Sequence, residues 1–453
     1  MLRSPNKETD KMSKTNESNQ FSHENITQII AHKAMAPFQV LVVIMCFILN
    51  MNDGIDVMVV SYTGSEILDE WGLTKAMQGY IYSAGLAGMT LGCLFVAPIA
   101  DRIGRRKLFI YAVAVEAVAM ILSSMVTDYY QLLVLRLFAG LGIGGLLPTM
   151  AAIAAEFSNN YRRDLSVGFV QAGYPIGAIF MGFFTAWAVP EFGWRFSYLA
   201  AGLISAAMLV MVIFFMPESI EYLLIRQPKN ALQKVNKILR RIGYDEIDQL
   251  PKITVSEPAS VKTLFNKEYK FSTIRLWIGI FFGFMTLYTL ISWVPSIATD
   301  AGMPFKMATY VGTALNVGAF IGSTGIGWLA AKFKLRKLIF TFFIIAFAIM
   351  VAYGNLPLSN ALMFIITFLI GIFVQGGFNG FWPATTRVYA PEVRTTGIGW
   401  ATGAGRFGAI VGPAIFGILS DMQLSISTLF IIFSIPLVVA GLAVYNIPSK
   451  NLR

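Results

Sequence analysis

Charge is what this sequence has least of. Only 13% of its 453 residues are Asp, Glu, Lys or Arg, against 56% that are apolar, and its mean hydropathy is +0.64. A soluble chain of this size needs far more polar surface to stay dispersed, which excludes an ordinary soluble enzyme or scaffold. Its two cysteines, Cys46 and Cys93, both fall in apolar runs. That excludes a disulfide framework and a Cys/His metal cluster, so no metal is expected. Both histidines, His23 and His32, precede the first apolar run, leaving carboxylates as the only groups for proton traffic within it. No Gly-Lys dipeptide occurs anywhere, which removes a phosphate-cradling loop and any ATP-driven activity built on one. No cofactor and no catalytic residue is expected.

What the sequence does have is apolar runs of about 20 residues, the length that crosses a hydrocarbon layer about 30 Å thick. They fall at 37–60, 79–99, 108–126, 130–155, 166–188, 196–216, 274–298, 308–331, 336–356, 359–384, 396–420 and 424–446. Backbone groups in lipid must be satisfied internally, and period-two alternation is absent, so each run is expected to be a helix. The expected fold is an all-α polytopic membrane protein of twelve transmembrane helices in two pseudo-symmetric six-helix bundles. Its expected divisions are a disordered cytoplasmic tail (1–35), an N-terminal bundle (36–216), a charged cytoplasmic link (217–273), a C-terminal bundle (274–446) and a short tail (447–453). The first segment has no apolar core or cleavage site of the signal-peptide kind.

The net charge of +10 is distributed to set topology rather than to bind nucleic acid. Of 35 Lys and Arg residues, Lys75, Arg195 and Lys306 fall in the loops on one side and Arg136 and Arg406 within the runs. The remaining 30 lie on the side of both termini. By the positive-inside rule that side is cytoplasmic, giving a multi-pass protein of the inner membrane with membrane lipid as its surroundings.

The two halves repeat. APIADRIGRRK at 97–107 aligns with GWLAAKFKLRK at 327–337, and GFVQAGYPIGAI at 168–179 with GWATGAGRFGAI at 399–410, at offsets near 230. Parallel six-helix repeats place a solute site between the halves near the membrane midplane, exposed alternately as the halves rock.

ADRIGRRK after the second run resembles the signature loop of the major facilitator superfamily, and Arg136 followed by Gly140, Gly142 and Gly144 resembles its fourth-helix motif. Trp194-Arg195 and PESIEYLL at 217–224 also fit. Within that superfamily, DGID at 53–56 is similar to the Asp-Gly-x-Asp motif of the aromatic acid:proton symporters, with SWVPSI at 292–297 in weaker agreement. Ala97 stands where the loop usually begins with Gly, and Ala331 replaces Asp in the second copy. The resemblance implies a secondary transporter, not an enzyme, that imports a small organic acid of benzoate or hydroxybenzoate type with protons. Alternatives are a symporter for a muconate-like dicarboxylate and a proton-coupled drug exporter. The latter is disfavoured by a buried arginine and by helix 5, which has Gly173, Pro175 and Gly177 but not a fuller Gly-Pro pattern.

Asp53 and Asp56 lie on one helical face, at a depth where a charged residue costs about 2.5–3.5 kcal/mol on insertion scales. They are the candidate proton carriers, although Asp56 also fits a role at the external mouth. Arg136 lies at similar depth and is expected to reach Asp53, as a switching or a static pair. Arg406 is the candidate for a substrate carboxylate, whose two oxygens its planar fork matches, or it pairs across the interface with Asp53 or Glu116. Gln171, Tyr174, Asn316, Gln375, Asn379 and Trp400 are candidate lining groups for a flat acid. Trp293 and Trp382 fit that role or an interfacial anchor. Glu116 reads equally as a proton site or a partner for a basic loop residue. Asp101, Arg102, Gly104, Arg105 and Arg106 form a candidate gating loop that latches the halves, with Glu156, Arg162, Arg163, Glu218 and Glu221 as candidate partners; their basic residues also satisfy the topology rule.

Overall fold

The computed structural model describes residues 34–251, 260–356 and 359–448, and of Pro391, Glu392 and Thr395 only the backbone. The expected N-terminal tail lies outside these residues except for its last two, as does most of the C-terminal one. Twelve long helices follow in order: α1 (Pro37–Trp71), α2 (Lys75–Ile103), α3 (Arg105–Ser123), α4 (Tyr129–Glu156), α5 (Arg163–Phe192), α6 (Trp194–Phe215), α7 (Lys270–Asp300), α8 (Phe305–Ala330), α9 (Leu335–Asn355), α10 (Asn360–Val388), α11 (Pro391–Asp421) and α12 (Ile426–Tyr445). Two short amphipathic helices, Ile220–Arg226 and Ala231–Arg241, lie in the link between α6 and α7.

Among the described residues ten of the twelve are long and apolar enough to span a membrane by composition alone. The other two are α3, which begins Arg105-Arg106-Lys107 and carries Glu116, and α8, whose hydropathy is diluted by glycines, threonines and Asn316. Polar caps set several starts. The Asp128 carboxylate accepts from Tyr130 and Gln131 N–H at 2.8 and 3.1 Å, and Ser219, Ser359 and Ser425 cap their helices likewise. α2 contains a π turn at Gly92–Val96 and a 3₁₀ turn at Ala97–Ile99 before its last α turn.

Packing follows the repeat. In the N-terminal half α1 packs on α5, α2 on α4 and α3 on α6; in the C-terminal half α7 packs on α11, α8 on α10 and α9 on α12. The closest helix approaches repeat residue by residue. A methyl at Gly88 would overlap the Leu137 carbonyl, and one at Gly318 the Phe368 carbonyl. Gly92 against Leu141 matches Gly322 against Ile372, Gly140 against Gly85 matches Gly371 against Leu315, and Gly177 against Met51 matches Gly408 against Phe281. In lipid there is no hydrophobic drive between helices, so such small-residue contacts supply much of the association.

The halves meet through α2 with α11 and α5 with α8. A set of hydrogen bonds and an ion pair joins them toward the end where α1 meets α2. Ser61 Oγ donates to the Ile291 carbonyl at 2.6 Å, Gln78 Nε2 to Ser296 Oγ at 2.9 Å and Ser83 Oγ to the Ile410 carbonyl at 2.7 Å. At the rim Lys75 Nζ meets both Asp300 oxygens at 2.8 Å, and Asp421 accepts the backbone N–H groups of Lys75 and Ala76 at 2.8 and 2.9 Å.

Candidate functional site

Two buried charges face each other across the halves without pairing. Asp53 on α1 is 4% exposed and its Oδ1 has no hydrogen-bond partner; Arg406 on α11 is 7% exposed and its Nε has none. Neither appears in an ion pair among the described residues, yet each lies in the other's field. Arg406 also acts on Cys93 of α2 and Tyr288 of α7, and its guanidinium sits 6.0 Å from the Phe284 ring centroid. Phe284 and Tyr288 stack at 5.7 Å with their planes 17° apart. Tyr174 of α5, in the field of Asp53 and Tyr288, has a buried hydroxyl with no partner. A cation, an anion and an unpartnered hydroxyl lie beside two stacked aromatic rings, the kinds of group that the ends and faces of a small aromatic acid would engage.

Gly54 explains the middle of the DGID motif. A methyl there would overlap the Tyr174 carbonyl, so glycine lets α1 lie directly on α5 and holds Asp53 beside Tyr174.

Arg136 does not pair with Asp53, as depth along the helices suggested. Its Nη1 meets Asp56 Oδ1 at 3.2 Å, with both residues almost fully buried. The guanidinium also contacts Met120 Sδ and lies 5.2 Å from the Tyr198 ring centroid. Depth alone does not fix azimuth: Asp56 faces α4, whereas Asp53 faces the C-terminal half. Behind this pair Glu116 of α3 accepts from Asn52 Nδ2, and Asn52 and Ser205 hydrogen-bond each other at 2.9 and 3.1 Å.

The other candidate residues are spread more widely. Gln171 is exposed and receives a long 3.4 Å bond from Asn50. Asn316 is buried in the joined end, donating to the Gly312 carbonyl at 3.1 Å and Tyr62 at 3.4 Å. Gln375 and Asn379 bond each other along α10 at 3.2 Å. Trp400 is 48% exposed and stacks with Trp277 at 6.3 Å. Trp293 is buried, donating to the Pro413 carbonyl at 3.1 Å and meeting Tyr82 edge-on at 5.3 Å, so it seals the joined end. Trp382 stands edge-on to Phe378 at 5.8 Å. Phe284, Tyr288, Cys93, Asn52 and Ser205 were not among the residues expected from sequence.

The signature loop binds α4 and the link that follows α6. Arg105 pairs with Glu156 and, at 3.1 Å, with Glu221; Arg106 N–H donates to Glu218 at 3.0 Å; Arg226 donates to the Asp101 carbonyl at 3.0 Å. Tyr222 reaches the Arg102 carbonyl at 3.5 Å. Gly104 adopts φ 102°, the region that favours glycine.

The sequence profile described as Major Facilitator Superfamily matches residues 44–385 and 276–452. The chain belongs to this superfamily. It is 30% identical over 432 residues to a gallate transporter of Pseudomonas putida, covering 94% of this chain and 95% of the relative. It is 28% identical over 445 residues to the 4-hydroxybenzoate transporter PcaK of Acinetobacter baylyi, covering 95% and 97%. A crystal structure of a bacterial homologue of the lysosomal transporter Spinster superposes with a TM-score of 0.72 at 16% identity, covering 91% of this chain and 97% of that one. This superfamily protein is therefore a multi-pass membrane transporter and not an enzyme.

Proposed function

We propose that this transporter imports an aromatic carboxylate of benzoate or hydroxybenzoate type together with protons, by alternating access. The observation that carries the reading is the unpaired Arg406 facing the unpaired Asp53, with the Phe284–Tyr288 stack alongside. The relatives named for gallate and 4-hydroxybenzoate support the substrate class. Isolated buried charges are costly, and a guanidinium with free N–H groups takes a carboxylate in bidentate fashion. The ring of the acid then lies against Phe284 and Tyr288, and the Tyr174 hydroxyl faces a ring substituent.

Proton traffic falls to Asp53 and Asp56. A proton on Asp53 removes the charge that repels the incoming anion; a proton on Asp56 releases Arg136. The charge asymmetry of the loops supports an orientation with both termini and the link in the cytoplasm of an inner membrane. On that orientation the joined end faces outward. One proton with one monoanion moves no net charge, so a pH difference alone drives it, at about 1.4 kcal/mol per unit. A second proton adds the membrane potential, about 2.3 kcal/mol per 100 mV.

The test is uptake of labelled benzoate, 4-hydroxybenzoate and muconate into proteoliposomes under an inward proton gradient, for the native chain and Asp53→Asn. Gradient-driven accumulation of the aromatic acids, lost in Asp53→Asn while equilibrium exchange survives, is expected. Absence of uptake of any acid under any gradient sinks the reading, and preference for muconate moves the substrate class to non-aromatic acids.

A further inference from the structure

We propose that Glu116 is the second anion for Arg136, and that the arginine moves from Asp56 to Glu116 when Asp56 takes a proton. This rests on the proton-coupled reading above. Glu116 is 1% exposed in the middle of α3, and its oxygen accepts from a neutral donor, Asn52 Nδ2, with Ser205 Oγ 3.5 Å away and no cation within ion-pairing distance among the described residues. A carboxylate so placed has a cost that no contact in this conformation offsets.

The geometry supplies the missing cation. Arg136 Nη2 rests on Met120, which stands four residues from Glu116 on the same face of α3. A rise of about 6 Å along α3 therefore separates the residue the guanidinium touches from Glu116. The charged and titratable groups facing Glu116 are Asp53 and Asp56 from α1, Arg136 from α4 and, over the guanidinium, Tyr198 from α6. Arg136 acts on both Glu116 and Asp56, whereas the field at Asp53 is set by Asp56 and Arg406. Two carboxylates thus share one arginine. Protonating Asp56 alone would leave a buried guanidinium without an anion; Glu116 removes that obstacle, and Asn52 and Ser205 hold it ready. The α1–α4 tie is replaced by an α3–α4 tie, freeing α1 from its ion pair at the step that loads the proton.

The experiment measures the pH dependence of labelled 4-hydroxybenzoate uptake into proteoliposomes for the native chain, Glu116→Gln and Glu116→Asp. Glutamine keeps the hydrogen-bonding shape and removes the charge, so its half-maximal uptake is expected to move about one pH unit to the acid side, the size of effect one nearby charge exerts. Aspartate retains the charge one methylene further back and is expected to fall between glutamine and native. A purely structural role predicts the reverse order, with Glu116→Gln native-like and Glu116→Asp impaired through its lost bonds to Asn52 and Ser205. That order, or coincident profiles for all three chains, overturns the proposal while leaving proton-coupled uptake intact. Should Glu116→Gln fail to insert, a native profile in Glu116→Asp overturns it alone. Failure of the native chain to take up acid overturns the parent reading and this one with it.

Discussion

The rim where the halves join makes a quantitative prediction. Asp421 at the end of α11 accepts two backbone N–H groups at the start of α2, and Lys75 Nζ bridges to Asp300 at the end of α7. All these bonds cross between the halves, so they stabilise only conformations closed at this end. Loss of a side-chain cap costs about 1 kcal/mol. The Lys75–Asp300 pair has side chains 23% and 43% exposed and is worth less, about 0.2–1 kcal/mol after solvent screening. Lys75→Ala with Asp421→Ala should therefore shift the equilibrium by about 1–2 kcal/mol, a change of about five- to thirtyfold in the ratio of open to closed rim. Spin labels at the exposed Met125 and Leu356, in a Cys93→Ser background, place one probe on each half at this end. Pulsed electron–electron distance measurement should then find the longer-distance population enriched by that factor in the double variant, more so at low salt. An unchanged distribution, or enrichment of the shorter distance, refutes the argument.

Three further predictions concern the site and the packing. Arg406→Lys loses the bidentate fork, and hydrogen bonds to charged groups are worth about 1.5–3 kcal/mol, so the half-saturating concentration of 4-hydroxybenzoate should rise about ten- to a hundredfold; an unchanged value refutes its role. Asp56→Asn combined with Glu116→Gln strands the buried Arg136 and should destabilise the protein by about 3–5 kcal/mol in thermal unfolding, far more than Asp53→Asn, whose oxygen has no partner to lose. The opposite order is incompatible with the observed pairing. Gly177→Ala and Gly408→Ala each push a methyl into a facing backbone carbonyl and should cost alike, about 1–3 kcal/mol, whereas Gly325→Ala, with nothing nearby, should melt as native.

The spans and the repeat were legible because lipid imposes a simple code: apolar runs of one length, and small residues where backbones touch. Helix ends were less so. α1 continues from residue 60 to Trp71 through Ser-Tyr-Thr-Gly-Ser-Glu, a stretch too polar to count as span yet free to stay helical above it. The π turn in α2 left no signal in hydropathy. Within the site, the charged residues stood out because charge in an apolar run is conspicuous, but their partners did not. Depth placed Asp53 and Asp56 equally near Arg136, and only the rotation of α1 decides for Asp56. Phe284 and Tyr288 are aromatic residues in a helix full of them. Their signal was indirect: Gly408 sets α11 against Phe281 of α7, so Phe284, one turn along α7, comes to lie 6.0 Å from the Arg406 guanidinium.

The backbone repeat also exposes where the halves differ. At the offsets that superpose their glycine contacts, Asp53, Asp56 and Arg136 correspond to Gly283, Thr286 and Thr367, and Arg406 to Pro175. The C-terminal counterparts carry no charge; Thr286 simply donates to the Phe433 carbonyl. A symmetric frame thus holds an asymmetric set of charges, carboxylates and their arginine in one half and a lone arginine in the other. Symmetric packing lets either end close with similar contacts, which rocking requires. On the proposed function, the charge asymmetry assigns proton handling to the N-terminal half and anion handling to the C-terminal half, and Asp53 and Arg406 are where the two meet. On that reading, a substrate anion or a proton that enters the gap alters the balance of both halves at once, and the Asp56–Arg136 pair behind it carries the change into the N-terminal half.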